Sequence, residues 1–218
     1  MIKTSELFDF RHSLAGEYLA GFEYPWQALP GIGALIPALA ETLGEEYRER
    51  FPGVWVHDSA AIALTASVSG PCIIGPGTEI RHCAYIRGSV IIGENCVISN
   101  SSELKNCIIF DESQVPHFNY VGDSIMGYHT HVGAGTVTSN LKTDGSEVVI
   151  RWNGETYPTG RRKFGAMIGD YADVGAKTVL NPGTIIGRHS RVYPGSVVRG
   201  VIPEKHIFKD RDHIVPIL

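Results

Sequence analysis

An aliphatic side chain recurs every six positions along most of this 218-residue chain. From Val56 the series runs through Ile62, Val68, Ile74, Ile80, Ile86, Ile92, Ile98 and Leu104 to Phe110. A second series runs from Ile168 through Val174, Leu180, Ile186 and Val192 to Val198. Between them stand Gly, Asn, Pro and small residues, as in IIGPGT and VYPGSV. A helix turning every ~3.6 residues cannot sustain this period, and an amphipathic strand alternates by two without a turn in every repeat. A parallel β-helix can. Each hexapeptide supplies one short strand and one turn, three of them (roughly 18 residues) close a triangular coil, and the aliphatics stack inside the shaft. A leucine-rich solenoid would need longer repeats dominated by Leu, which is scarce here. The expected class is all-β, a left-handed parallel β-helix of hexapeptide repeats, the exception to the right-handed crossover preference.

Three regions leave the repeat. Residues 1–52 contain Ile32, Leu35, Ile36, Leu39, Leu43 and Tyr47 at helical spacing, with Pro25 and Pro30 before them. They are expected to form a small helical cap on the first coil, covering the open end of the solenoid. The β-helix is expected over 53–204, with an inserted hairpin over 141–165, where Asn153-Gly154 separates two alternating runs. Arg161, Arg162 and Lys163 follow it, either as a solvated charge cluster or as an arm towards a neighbouring subunit or an anion. Residues 205–218 form a tail whose apolar end (Ile214, Val215, Ile217, Leu218) is expected to dock.

The net charge of −4 and the lack of a long Lys/Arg run give no electrostatic support for a nucleic-acid or membrane-surface partner. The start, MIKTSELFDFRH, lacks a signal-peptide pattern, and no apolar run reaches the ~18 residues a membrane span needs. Cys72, Cys83, Cys96 and Cys107 form no C-x-x-C pair. A reduced, cytoplasmic protein without a metal site is the expectation.

The stretch VPHFNYVGD (115–123) breaks the period: Phe110 to Val115 is five residues, and Val121 to Met126 is five again. Between the slips stand His117, Asn119 and Tyr120. The break is expected to aim His117 and Tyr120 into a cleft; a corner histidine bonded to a backbone carbonyl is the plainer alternative. Arg87 and Lys105, one coil apart, are expected on adjacent rungs about 5 Å apart. There the two cations repel unless an anion such as phosphate sits between them or both fan into water. Lys105 and His117, 12 residues apart, are expected to start on different faces of one coil.

From about Cys83 to Arg211 the chain resembles the C-terminal acetyltransferase domain of the bifunctional N-acetylglucosamine-1-phosphate uridyltransferase/glucosamine-1-phosphate acetyltransferase. It is closer to the archaeal sugar-1-phosphate nucleotidyltransferase/amino-sugar acetyltransferase branch. The matching stretches are YIRG, SELKN, PHFNYVGD, VGAGTVTSNL, GRRKFGAMIGD and VYPGSVV. The resemblance implies that His117 is the general base that takes a proton from the sugar amine as it attacks the acetyl-CoA thioester, a task suited to an imidazole. It implies that Arg87, Lys105 and Tyr120 hold the phosphate and sugar hydroxyls and that Asn140 orients the sugar. Ala176, with Lys177 beside it, falls where the bacterial branch has a serine near the thioester, and Lys209 and Arg211 match residues at the coenzyme's phosphates. Acetyl-CoA is then the co-substrate, an amino-sugar phosphate the acceptor and a homotrimer the assembly.

The chain departs from the family at His131, where Asn is common, and at Ser146, six residues after Asn140, where the family has a sugar-binding Lys; Lys142 lies near enough to substitute. The first 50 residues carry no Gly-rich phosphate loop, so nucleotidyltransferase activity is not expected. Two other readings stay open. One is a zinc carbonic anhydrase of the β-helix type, using His117, His129 and His131 across a subunit interface, with His129 and His131 expected to point to one side. The other is a non-catalytic trimeric partner or regulatory subunit of a sugar nucleotidyltransferase.

Overall fold

The computed structural model describes residues 1–217; Leu218 of the tail lies outside them. It is a left-handed parallel β-helix. Three ladders of parallel strands form its faces. Face 1 stacks Val54–His57, Cys72–Ile74, Val90–Ile92, residues 107–109 and 124–126, Ala166–Ile168, Thr184–Ile186 and Val201–Ile202. Face 2 runs from Ala61–Ile62 through 114–115 and His131–Val132 to 207–208. Face 3 runs from Ser67–Val68 through 103–104, 120–121 and Val137–Thr138 to Val197–Val198. The aliphatics of the six-residue series from Val56 to Leu104 and from Ile168 to Val198 line the shaft.

The register slips fall elsewhere than the spacing suggests. Ile109, not Phe110, follows Leu104 inside the shaft, so the short steps are Leu104 to Ile109 and Val121 to Met126. Ile109, Val115 and Val121 between them keep the period of six. Both slips lie at one corner, between faces 3 and 1, where Glu103–Ile109 and Tyr120–Met126 run through the bend as unbroken paired strands. Asn106 (φ 47°) and Asp123 (φ 49°) make the bend in the left-handed region that Asn and Asp tolerate best.

Most face 1 strands are three residues deep, and each face 1 strand has a residue pointing outward between or beside its shaft residues. These are Ile73, Ile91, Ile108, Ile125, Met167, Ile185 and Val201, all buried, with Trp55 partly buried at the first rung. The N-terminal segment covers them with Leu7, Phe8, Leu19, Trp26, Leu29, Ile32 and Ile36. It contains the helices Thr4–Leu7, Gly16–Ala20 and Ile32–Ala40 and ends in the strand Tyr47–Phe51. It therefore lies along the side of the shaft rather than over its first coil, because an apolar ladder on a face needs a lateral partner. Phe110 belongs to this outer layer, 5.2 Å from Phe8 between ring centroids. The fully buried Asp170 fastens the cover: it accepts from the Asp9 N–H at 2.7 Å and the Tyr128 N–H at 2.9 Å, and pairs with Arg188.

The hairpin Val148–Trp152/Glu155–Arg161 turns at Asn153-Gly154, both at positive φ. It folds back onto its own chain, burying Val148 and Ile150 with Trp26 and Phe164, and so is not an arm held away from the shaft. The tail pairs His206–Asp210 with His213–Pro216 at the end of face 2, leaving Ile214 38% exposed. Among the described residues no helix is long and apolar enough to cross a membrane.

Candidate active site

The residues singled out above divide between the two edges of face 3. At the edge shared with face 1, the Asp123 carboxylate, 5% exposed, accepts from Lys105 Nζ at 3.2 Å, Asn106 Nδ2 at 2.9 Å and Asn140 Nδ2. Asn140 Nδ2 also donates to the Tyr120 hydroxyl at 3.1 Å. The Tyr120 ring folds over Gly122, where a Cβ would lie 2.3 Å from that hydroxyl, which is why glycine stands there. Burial, reinforced by the Asp123 and Glu103 carboxylates, raises the Tyr120 phenol and keeps it a neutral hydrogen-bonding group. Asp123 and Asn106 were not singled out from the sequence. Their spacing of 17 residues, one short coil, is the signal that links them.

Arg87 and Lys105 do stack on adjacent rungs, yet no anion is needed between them. Arg87 Nη1 donates to Glu103 Oε1 at 2.6 Å and Lys105 has Asp123. Uncompensated charge lies one step further on. The chain returns from the hairpin at Lys163, bridged to Leu141, and the Phe164 N–H donates to the Asn140 carbonyl at 2.9 Å. Leu141, Gly160, Arg161, Arg162 and Lys163 line a pocket of about 440 Å³. Among the described residues none of these three cations has a carboxylate partner. Arg161 Nε is buried without a hydrogen-bond partner, and Arg162 Nε donates to the Gly145 carbonyl at 2.9 Å. Counting six residues past Asn140 reaches Ser146, which only closes a turn with Asp144 and Lys142. The insertion lengthens the count, and Lys163 is the lysine delivered beside Asn140.

His117 stands at the other edge, on the corner between faces 2 and 3, exposed, with Nδ1 3.5 Å from Ser99 Oγ. Lys105 and His117 thus border the same face rather than different ones, with Tyr120 between them. Asn119 is a shaft residue: its buried side chain accepts from the Thr136 N–H at 2.7 Å and donates to the Val132 carbonyl. Directly above His117 the corner carries only small residues. The Gly135 N–H donates to the His117 carbonyl, the Lys177 N–H to Ala134 and the Gly195 N–H to Ala176. Small side chains therefore occupy the rung above the imidazole, and Ala176 with Lys177 the next. Lys209, 6.0 Å above the Tyr193 ring, lies four rungs up, about 19 Å at the usual strand spacing. Arg211 is exposed in the turn beyond it.

The remaining histidines are not gathered. His129 Nδ1 lies 3.1 Å from Glu112 and His131 Nδ1 2.8 Å from Asp173, so the two bind different carboxylates. His131 faces out from face 2, away from Tyr120. Among the described residues no group of three His, Cys, Asp or Glu side chains is placed to hold a metal within one chain.

Residues 52–154 match the family described as GMPPB C-terminal domain. The chain is 38% identical over 126 residues to a bifunctional sugar-1-phosphate nucleotidylyltransferase/acetyltransferase of Sulfurisphaera tokodaii, covering 58% of this chain and 31% of that protein. It is 34% identical over 176 residues to a bifunctional protein GlmU of Methanococcus maripaludis, covering 72% and 42%. It thus spans between 31% and 42% of the length of these two curated relatives and resembles the acetyltransferase part of such bifunctional proteins. Among solved structures, the polySia-specific acetyltransferase NeuO aligns over 76% of this chain and 82% of its own, at 14% identity and a TM-score of 0.47.

Proposed function

We propose that this chain is an acetyl-CoA-dependent N-acetyltransferase acting on the amine of a phosphorylated amino sugar, with His117 as general base. The observation that carries the reading is the rung of small residues, Ala134 and Gly135, directly above His117. The coenzyme's acyl arm would lie along it, thioester beside the imidazole, passing Ala176 and Lys177, with its phosphates at Lys209 and Arg211. The acceptor would lie along face 3, amine at His117 and ring against Tyr120 and Asn140. Its phosphate would sit towards Lys163 and Arg162, with Lys105 below it on the same edge and Arg87 a further rung down.

In the step, His117 Nε2 takes the ammonium proton and the freed amine attacks the thioester carbonyl; as the C–S bond of the tetrahedral intermediate breaks, the nitrogen gives up its second proton and the coenzyme leaves as the thiol. Ser99 at Nδ1 leaves Nε2 turned to the substrate. A backbone N–H on that corner would stabilise the tetrahedral oxyanion. Tyr120 and Asn140, fixed by Asp123, place the amine in line with the carbonyl. A neighbouring copy in a homotrimer would supply the wall that faces His117 and exclude water.

The test is thiol release from acetyl-CoA with a panel of amino-sugar phosphates, beginning with glucosamine-1-phosphate. Turnover that requires both the amine and the phosphate supports the reading. Absence of turnover over the whole panel refutes it and favours a non-catalytic partner subunit.

A further inference from the structure

Of the four thiols, Cys72, Cys96 and Cys107 are buried and only Cys83 is exposed. Burial pushes Cys96 up to about 12 and raises Cys72 and Cys107 as well, so these three are inert. Cys83 Sγ stands 3.2 Å from His82 Nε2, and His82 Nδ1 stands 2.8 Å from Thr65 Oγ1. The Cys83 N–H donates to the same Thr65 oxygen at 3.3 Å. The coil geometry makes this possible. Thr65 and Cys83 are one coil apart on the corner between faces 2 and 3, so the hydroxyl of one rung reaches the imidazole of the next. Cys83 sits at φ 55°, a strained setting for a residue with a Cβ, which turns its side chain along the corner. A nucleophile, a base and a group that orients the base stand in sequence on an open surface, the arrangement that activates a thiol.

We propose that Cys83 is a modification site that captures low-molecular-weight disulfides, with His82 as its base and Thr65 orienting His82. In the tautomer the step needs, Nδ1–H faces Thr65 and Nε2 is free to take the Sγ proton. The thiolate attacks one sulfur of the disulfide. A bond forms between that sulfur and Cys83 as the original S–S bond breaks, and the departing thiolate takes the proton from the imidazolium. Cys83 is oxidised and the departing half of the reagent is reduced to a thiol. The site shares no residue with the acyl-transfer reading and requires that a neighbouring copy facing His117 leave the lower coils of that corner open. It lies on the same corner as His117 but two coils below it, about 10 Å away.

The probe is dithiobis(nitrobenzoate), followed by the thiol it releases from the native full chain. The proposal expects one rapid equivalent, lost in Cys83→Ser. Its rate constant should be at least about tenfold above that of the same residue in the urea-unfolded chain at equal pH. It should fall about tenfold in His82→Ala and several-fold in Thr65→Val, both exposed positions whose replacement should leave the unfolding midpoint in place. A native rate no higher than that of the unfolded chain overturns the proposal. So does a rate unchanged in His82→Ala, or a rapid equivalent that persists in Cys83→Ser.

Discussion

The Lys105 ammonium lies 3.2 Å from the Asp123 carboxylate, which stands at the corner where the shaft shortens its step and is only 5% exposed. Asp123 is therefore the hub of the acceptor edge, tied to Lys105, Asn106 and Asn140 at once. Removing a carboxylate from such a site leaves donors without partners. Asp123→Asn is expected to cost about 2 kcal/mol and Asp123→Ala about 3–4 kcal/mol in urea unfolding. Lys105→Met, which retains the packing of the stem, should cost less than either, because Lys105 is 25% exposed and its pairing is partly screened.

Asp111 carries a pH dependence of the opposite sign to an ordinary paired carboxylate. Burial, with the Glu94 carboxylate adding to it against a Glu94 N–H bond that lowers it, pushes Asp111 up to about 6. Between the ordinary carboxylate value of about 4 and that raised value the folded chain holds a proton that the unfolded chain has lost. The contribution of Asp111 to stability is then fully present below that window and is lost as pH rises through it. Asp111→Asn should stabilise the chain at pH 8 by about 1 kcal/mol, solvent screening of a partly exposed group included, and flatten the dependence between pH 4 and 6. Thermal melts across that range decide it; an Asn variant that is less stable at pH 8 would count against the assignment.

Phe110 and Phe118 test where the register slips. Phe110 is fully buried under Phe8, whereas Phe118 is 64% exposed at the corner beside His117. Phe110→Ala should cost about 3–4 kcal/mol and expose the first 30 residues to limited proteolysis, since the ring anchors the lateral cover. Phe118→Ala should change the unfolding midpoint little.

If the acceptor's phosphate sits towards Lys163 and Arg162, replacing either by Ala should raise KM for a phosphorylated acceptor about tenfold or more. An unphosphorylated amino sugar should show no such change. Equal effects on both acceptors would move the phosphate elsewhere, Arg87 being the next candidate.

Much of the shaft was legible from Val56 to Leu104 and from Ile168 to Val198, because an interior stack tolerates only aliphatics at its own period. The count failed at Phe110, since an aromatic belonging to the outer layer happened to fall six residues after Leu104. The runs Cys72-Ile73-Ile74, Val90-Ile91-Ile92 and Cys107-Ile108-Ile109 held the correct alignment, with the last pair only 17 residues apart. The same runs foretell a covered face, because their middle Ile residues point out of the shaft. The candidate site was legible as residue types but less so as partners. The sequence pattern marks Lys105 and Asn140, but only the fold shows that Asp123 joins them and that the hairpin brings Lys163 back beside Asn140.

The central claim is that His117 takes the proton from the attacking amine, and one comparison tests it most directly: kcat for acetyl transfer in wild type and His117→Ala, with acetyl-CoA binding measured in both. The account predicts that kcat falls by on the order of 100-fold or more while the coenzyme's Kd stays within a few-fold. A variant that keeps most of its kcat, or that loses activity only because acetyl-CoA no longer binds, would contradict it.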